Sequence, residues 1–117
     1  RSHVSPNEMP YYYNAADCYI HPSIEDGASF PLLEAMASGV PVIASNVPPI
    51  PELTGDGAML VDPLNHTEYA EAVLRVLADE RLRNGIVSRA LIRARNLTWS
   101  NCAFKTLQVY AESLQTT

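Results

Sequence analysis

Apolar residues in this chain fall into two rhythms that alternate along its length. One has spacings of three and four, as on one face of a helix; the other is a short unbroken apolar run, as in a strand buried on both sides. Met9, Tyr12, Tyr13 and Ala16 keep the helical spacing, and Asp17–Pro22 then reads as a short strand. Leu32 to Ala37 are good helix formers, and Pro41–Ser45 is an apolar strand opened by a proline. Ala58–Asp62 is a third strand. Behind it Tyr69, Ala72, Val73, Val76 and Leu77 form one apolar stripe, and Leu82, Ile86, Ala90 and Ala94 form the next. Ala103, Leu107, Tyr110, Ala111 and Leu114 form the last. Helix–strand alternation of this kind predicts a parallel α/β sheet.

Turn and cap residues sharpen the boundaries. Pro31 suits the first helical position and Gly39 a left-handed stop, so a helix is predicted over 30–38. Ser5-Pro6-Asn7-Glu8 reads as a capped helix start, although Pro10 interrupts the ladder and can move the effective start to that point. Of the three tyrosines Tyr11, Tyr12 and Tyr13, two are expected to face the core and one water. Pro48, Pro49 and Pro51 predict a stiff, extended segment across 46–57, ending in a tight turn at Gly55-Asp56-Gly57. Asn65 and Thr98 are the expected caps of two later helices.

The 117 residues suffice for one small domain, with 47% hydrophobic and 18% charged residues, as in an ordinary globular chain. A net charge of −5 argues against nucleic acid or an anionic membrane as the main partner. No apolar run approaches the ~20 residues needed to span a bilayer. No signal peptide is read in these residues. Cys18 and Cys102 lack metal-ligand spacing and are expected to be buried free thiols in a reducing compartment. His3, His21 and His66 form no cluster, so no zinc site is predicted.

The candidate chemistry sits at the front of the helix at 30–38. A helix N-terminus presents unpaired N–H groups and about half a positive charge, which suits phosphate. Gly27, Ala28 and Ser29 are small enough to let a ligand approach the backbone. Glu34, one turn in, has the two acceptor oxygens that hold a ribose diol, or else is a solvated or salt-bridged position. In a doubly wound sheet ligands gather at the carboxyl ends of strands, which independently points to Ser23–Ser29. His21, at the end of its strand, reads as a packed, hydrogen-bonded residue. Arg81, Arg83, Arg89, Arg93 and Arg95 suggest a phosphate patch, but flanking acids favour a solvated helix face.

The run PLLEAMASGVPVIAS from Pro31 to Ser45 resembles the donor-site signature of the retaining, nucleotide-sugar-dependent glycosyltransferases of the GT-B fold, glycosyltransferase family 4, also called group 1. That family carries two glutamates with seven residues between them. Counting back from Glu34 reaches Asp26, one methylene shorter, and the family's E-G-F-G loop stands here as Asp26-Gly27-Ala28-Ser29. Pro51-Glu52-Leu53, the strand closing on Asp62-Pro63, and Thr98-Trp99 also match family features, so the resemblance runs from Val4 to about Leu114.

The resemblance implies that residues 1–117 are the donor-binding part of the second Rossmann-like domain, a partial doubly wound parallel sheet lacking its first strands. Three parallel strands near 17–22, 41–45 and 58–62 are expected, with helices on both faces and right-handed crossovers. The implied parent transfers a sugar from a nucleotide sugar to an acceptor, without a metal or other cofactor, by stabilising the departing diphosphate. Asp26 would contact the donor sugar and Glu34 the ribose; together they are the catalytic candidates. Backbone N–H groups around Gly27, Ala28, Ser29 and Phe30, extended by Leu32 and Leu33, would approach the sugar or diphosphate. The expected location is cytoplasmic, with a membrane-peripheral setting of the full-length protein as the alternative. The expected partners are donor, acceptor and the rest of the parent, with self-association through the open sheet edge as a further expectation. The alternative is a non-catalytic binding or structural module built on the same fold.

Overall fold

The computed structural model describes residues 3 to 115. Nine elements follow in order: α1 (Met9–Ala15), β1 (Tyr19–His21), α2 (Phe30–Ser38), β2 (Val42–Ser45), α3 (Ile50–Thr54), β3 (Met59–Val61), α4 (His66–Ala78), α5 (Glu80–Asn96) and α6 (Trp99–Gln115). The strands form one parallel sheet in the order β1-β2-β3, with His21 opposite Ala44 and Ser45 opposite Val61. All three expected strands are present, each shorter than its apolar run.

Side chains alternate across a strand, so β2 builds two cores. Val42 and Ala44 meet Leu32, Ala35 and Met36 of α2, together with Tyr13, Ile50 and Ala90. Ile43 faces the other way, onto Val61, Ala72 and Val76 of the β3–α4 unit, with Ile86. Helix α5 therefore serves both cores, through Ile86 and Ala90. Leu32 and Met36 are fully buried, each worth about 1.5–3 kcal/mol of transfer free energy. Gly57 lets α5 come close to the β2–β3 connection. A Cβ there would lie 2.7 Å from the Ala90 Cα.

α2 occupies the residues its punctuation predicted, ending on Gly39 at φ 77°. Asn65 caps α4 and Thr98 caps α6 through their side-chain oxygens. Other expectations fail for identifiable reasons. Ser5–Glu8 forms a turn rather than a helix start, and α1 starts at Met9 with Pro10 in its first turn, next to the point to which that proline was expected to move it. Only Tyr13 enters the core, while Tyr11 and Tyr12 are 76% and 47% exposed. A seven-residue helix resting on α2 covers a single narrow stripe. The proline-rich segment is not extended throughout: Pro51 falls in the first turn of α3, where its fixed φ suits a helix. Ile50, fully buried, anchors that turn.

The arginines of α5 are more than a solvated face. Arg93 donates to the carbonyls of Leu53, at 3.0 Å, and Glu52. Arg89 donates to Asp56 O at 2.9 Å, and Arg83 to the last carbonyls of α4 at 3.2 Å. Helix C-termini leave such carbonyls unpaired, and cations suit them. Arg81 and Arg95 are exposed, as expected. Cys18 is half-buried, but Cys102, expected to be buried, lies exposed on α6. No residue of α6 is buried. No helix among the described residues is long and apolar enough to cross a membrane.

Candidate functional site

The end of β1, the loop at 22–29 and the first turns of α2 converge at the carboxyl end of the sheet. His21 leaves β1 beside that loop and meets it at several points. Its Nε2 bonds Asp26 Oδ2 and lies 2.9 Å from Ser29 Oγ and 3.2 Å from Ser23 Oγ. Its Nδ1 lies 3.2 Å from the Tyr19 hydroxyl. A carboxylate only accepts, so the bond to Asp26 puts a proton on Nε2, and Nδ1 then accepts from Tyr19. Burial first, then the Glu34 and Asp26 charges, raise the Tyr19 pKa and keep its hydroxyl a donor. Asp26 Oδ1 accepts from the Gly27 N–H at 2.8 Å. The His21 bond, then bonds from Ser23 and Gly27, hold the Asp26 carboxyl below its ordinary value against the opposing effect of burial.

Glu34 is held from the other side. The Tyr13 hydroxyl donates to Glu34 Oε2 at 3.0 Å, sharing its hydrogen with Pro31 O at 3.3 Å. Burial, then Glu34 itself, push the Tyr13 hydroxyl well above the phenol range. Tyr13 and Tyr19 meet edge to face with centroids 5.7 Å apart, and Tyr19 stacks on His21 at 5.9 Å. The two acids thus end one continuous chain, Asp26–His21–Tyr19–Tyr13–Glu34. Reading the sequence missed the three middle members as site residues. Only the position of His21 at a strand end hinted at it.

Ser29 occupies the cap position of α2, yet its side chain makes no cap hydrogen bond. Its hydroxyl is turned to His21 instead, and the residue is buried. The first N–H groups of α2 are therefore without a side-chain cap. The Leu33 N–H is engaged within the helix, donating to Ser29 O, and the Leu32 side chain is fully buried in the core. Gly27 and Ala28 are exposed in the loop, and nothing lies within 4 Å of a Cβ built on Gly27.

Beside α2 lies a largely apolar cleft of about 530 Å³. Ala28, Phe30, Leu33 and Glu34 form one wall, and Leu97, Trp99, Cys102 and Lys105 belong to the other. Phe30 and Trp99 face each other with centroids 5.9 Å apart. Ala28 and Phe30 line the cleft, whereas Ser29 is buried and turned to His21. Glu34 does line the concavity. Among the described residues no three His, Cys, Asp or Glu side chains group as a metal-ligand set.

Residues 2–92 match the family described as glycosyl transferases group 1. The chain is 36% identical over 108 residues to O-antigen chain mannosyltransferase B of Escherichia coli, covering 92% of this chain and 28% of that protein. It is 34% identical over 110 residues to D-inositol 3-phosphate glycosyltransferase of Corynebacterium diphtheriae, covering 92% of this chain and 26% of that one. Its fold superimposes on sucrose-phosphate synthase from Thermosynechococcus elongatus with a TM-score of 0.83 at 27% identity, over 100% of this chain and 30% of the other. The chain thus spans little more than a quarter of the length of these curated relatives.

Proposed function

The chain belongs to the glycosyl transferases group 1 family, with the fold of the GT-B C-terminal part, and from that premise we propose that it forms the donor-binding part of a retaining, family 4 enzyme that moves a sugar from a nucleotide sugar to an acceptor. The carrying observation is the pair Asp26 and Glu34, both fixed by the same hydrogen-bonded and stacked chain beside a helix end whose cap side chain is turned away.

In this reading Glu34 accepts from the ribose hydroxyls with lone pairs that Tyr13 leaves available, and Asp26 accepts from a hydroxyl of the donor sugar. The uncapped N–H groups at Ser29, Phe30 and Leu32, with that of Ala28, face the growing negative charge of the diphosphate, where a helix N-terminus is most favourable; the Gly27 N–H is held by Asp26 Oδ1. Leu33, whose N–H is bonded within α2, drops out of that donor set. The remaining diphosphate contacts and the acceptor site belong to the rest of the parent polypeptide. No step in this reading draws on a metal, and the expected setting is the cytoplasm or a membrane surface.

The test is a titration of the full-length enzyme with free nucleotide and a panel of nucleotide sugars. Glu34→Gln is expected to weaken both by about 1–3 kcal/mol, the range for hydrogen bonds to a charged group. Asp26→Asn is expected to weaken the nucleotide sugar and slow turnover while leaving free nucleotide unchanged. Unchanged nucleotide affinity in Glu34→Gln removes the ribose role, and equal losses for both ligands in Asp26→Asn remove the sugar role.

A further inference from the structure

His21 has no part in the donor contacts above, yet its ring joins more of the site than either acid does. Four side chains meet it: Asp26, Ser23 and Ser29 at Nε2, and Tyr19 at Nδ1. Its backbone is fixed as well, paired opposite Ala44 in the sheet and accepting from Ser45 Oγ at 3.3 Å. The ring therefore transmits the position of a rigid strand to a loop that has few other anchors. Asp26 has a short side chain, so where its carboxylate stands depends on where the loop carries its Cα.

We propose that His21 is a positioning residue for the donor sugar, fixing the Asp26 carboxylate and the loop that carries it in one geometry. Two contacts do this together. The bond to Asp26 Oδ2, with the Gly27 N–H on Oδ1, sets the plane of the carboxylate and leaves a lone pair on each oxygen for a sugar hydroxyl. The Ser29 hydroxyl, 2.9 Å from the same Nε2 nitrogen, places the far end of the loop beside the ring. Tyr19 supports the arrangement by donating to Nδ1, which keeps the Nε2 proton directed at Asp26. The titratable groups facing the ring are Asp26 from the loop and Tyr19 from β1, with Glu34 one step beyond through Tyr13.

The proposal rests on Asp26 being the sugar-facing acid, and its test separates the two ideas. His21→Ala, His21→Gln, Tyr19→Phe and Asp26→Asn are compared in the full-length enzyme, using free nucleoside diphosphate and the preferred nucleotide sugar as probes. His21→Ala is expected to lower kcat/KM for the nucleotide sugar by about 10-fold or more, the scale of one lost charge-assisted bond. Its affinity for the free diphosphate should stay nearer to the original. His21→Gln, whose amide N–H falls near the position of Nε2, is expected to recover most of that loss. Tyr19→Phe is expected to give a smaller loss with the same selectivity, and it decides the matter should His21→Ala fail to fold. A sugar-selective loss in Asp26→Asn with His21→Ala and Tyr19→Phe both unaffected overturns the positioning role and leaves the Asp26 assignment standing. Equal losses for both probes in the His21 variants, with no recovery by glutamine, reduce His21 to a structural residue and also overturn it. No effect of Asp26→Asn removes the assignment and the proposal together.

Discussion

Helices α2 and α6 start from similar sequence patterns and end in opposite environments. Over nine residues α2 buries Leu32, Ala35 and Met36 completely, because it lies against β2 on one side and α5 on another. Over seventeen residues α6 carries a regular apolar stripe and buries none of it; Leu107 is 64% and Tyr110 63% exposed. The two helices border one cleft, with Phe30 at the start of α2 facing Trp99 at the start of α6. A periodic stripe thus states which face of a helix is apolar, and the partner that covers it is a separate matter. In α2 that partner lies within the same sheet unit, which is why the acid it carries, Glu34, stands on a rigid base.

The largest test of this contrast is truncation on each helix. Met36→Ala is expected to destabilise the protein by about 2–5 kcal/mol, the range for emptying a close-packed site. Leu107→Ala should cost less than about 0.5 kcal/mol, as for an exposed position. Urea unfolding followed by circular dichroism measures both. Equal costs would mean that the α6 stripe is covered in solution, and the contrast would vanish.

A second test addresses what holds α2 from behind. Gly57→Ala should push the β2–β3 connection away from α5, because the new Cβ meets backbone atoms of Ala90 at 2.7 and 2.9 Å. Overpacking of this kind costs about 1–3 kcal/mol. Gly27→Ala, with open space around its Cβ, should leave the melting temperature nearly unchanged. A neutral Gly57→Ala would show that α5 moves freely, and the rigid base attributed to α2 would be lost.

The smallest effect sharpens the picture at the front of α2. The folded pKa of Asp26 lies below its ordinary value of 3.8, chiefly through the His21 bond. A depressed carboxyl contributes stability that is complete above the unfolded value and disappears as pH falls through the folded one. Melting temperature measured below about pH 4 should therefore fall less steeply in Asp26→Asn than in the original chain. Parallel profiles would show that the loop does not rely on this bond.

The candidate site was legible in halves. Asp26 and Glu34 were singled out through the resemblance to the family's paired acids, and the helix between Pro31 and Gly39 by its punctuation, since both signals lie within a dozen residues. What fixes those acids was not visible. Tyr13 reaches Glu34 across 21 residues, and Ser29 reaches His21 across eight, with a bend of the chain between them. His21 was read as packed and hydrogen-bonded, as it is, but nothing in a linear string shows that a strand end and a loop share one hydrogen-bond set. Arg93 looked solvated because its carbonyl partners lie about 40 residues earlier.

The sequence by itself determined the strands, most of the helices, the caps at Asn65 and Thr98, and the left-handed stop at Gly39. These follow from backbone preferences and short-range periodicity that each segment carries wherever it is placed. Tertiary structure decided which tyrosine is buried, that Pro51 opens a helix inside a proline-rich loop, that Cys102 is exposed, and that α6 is left uncovered. Each of these depends on a neighbour distant along the chain. Burial and buried hydrogen bonds are properties of a pair of surfaces, and the pairing exists only once the sheet has brought its helices to their two faces.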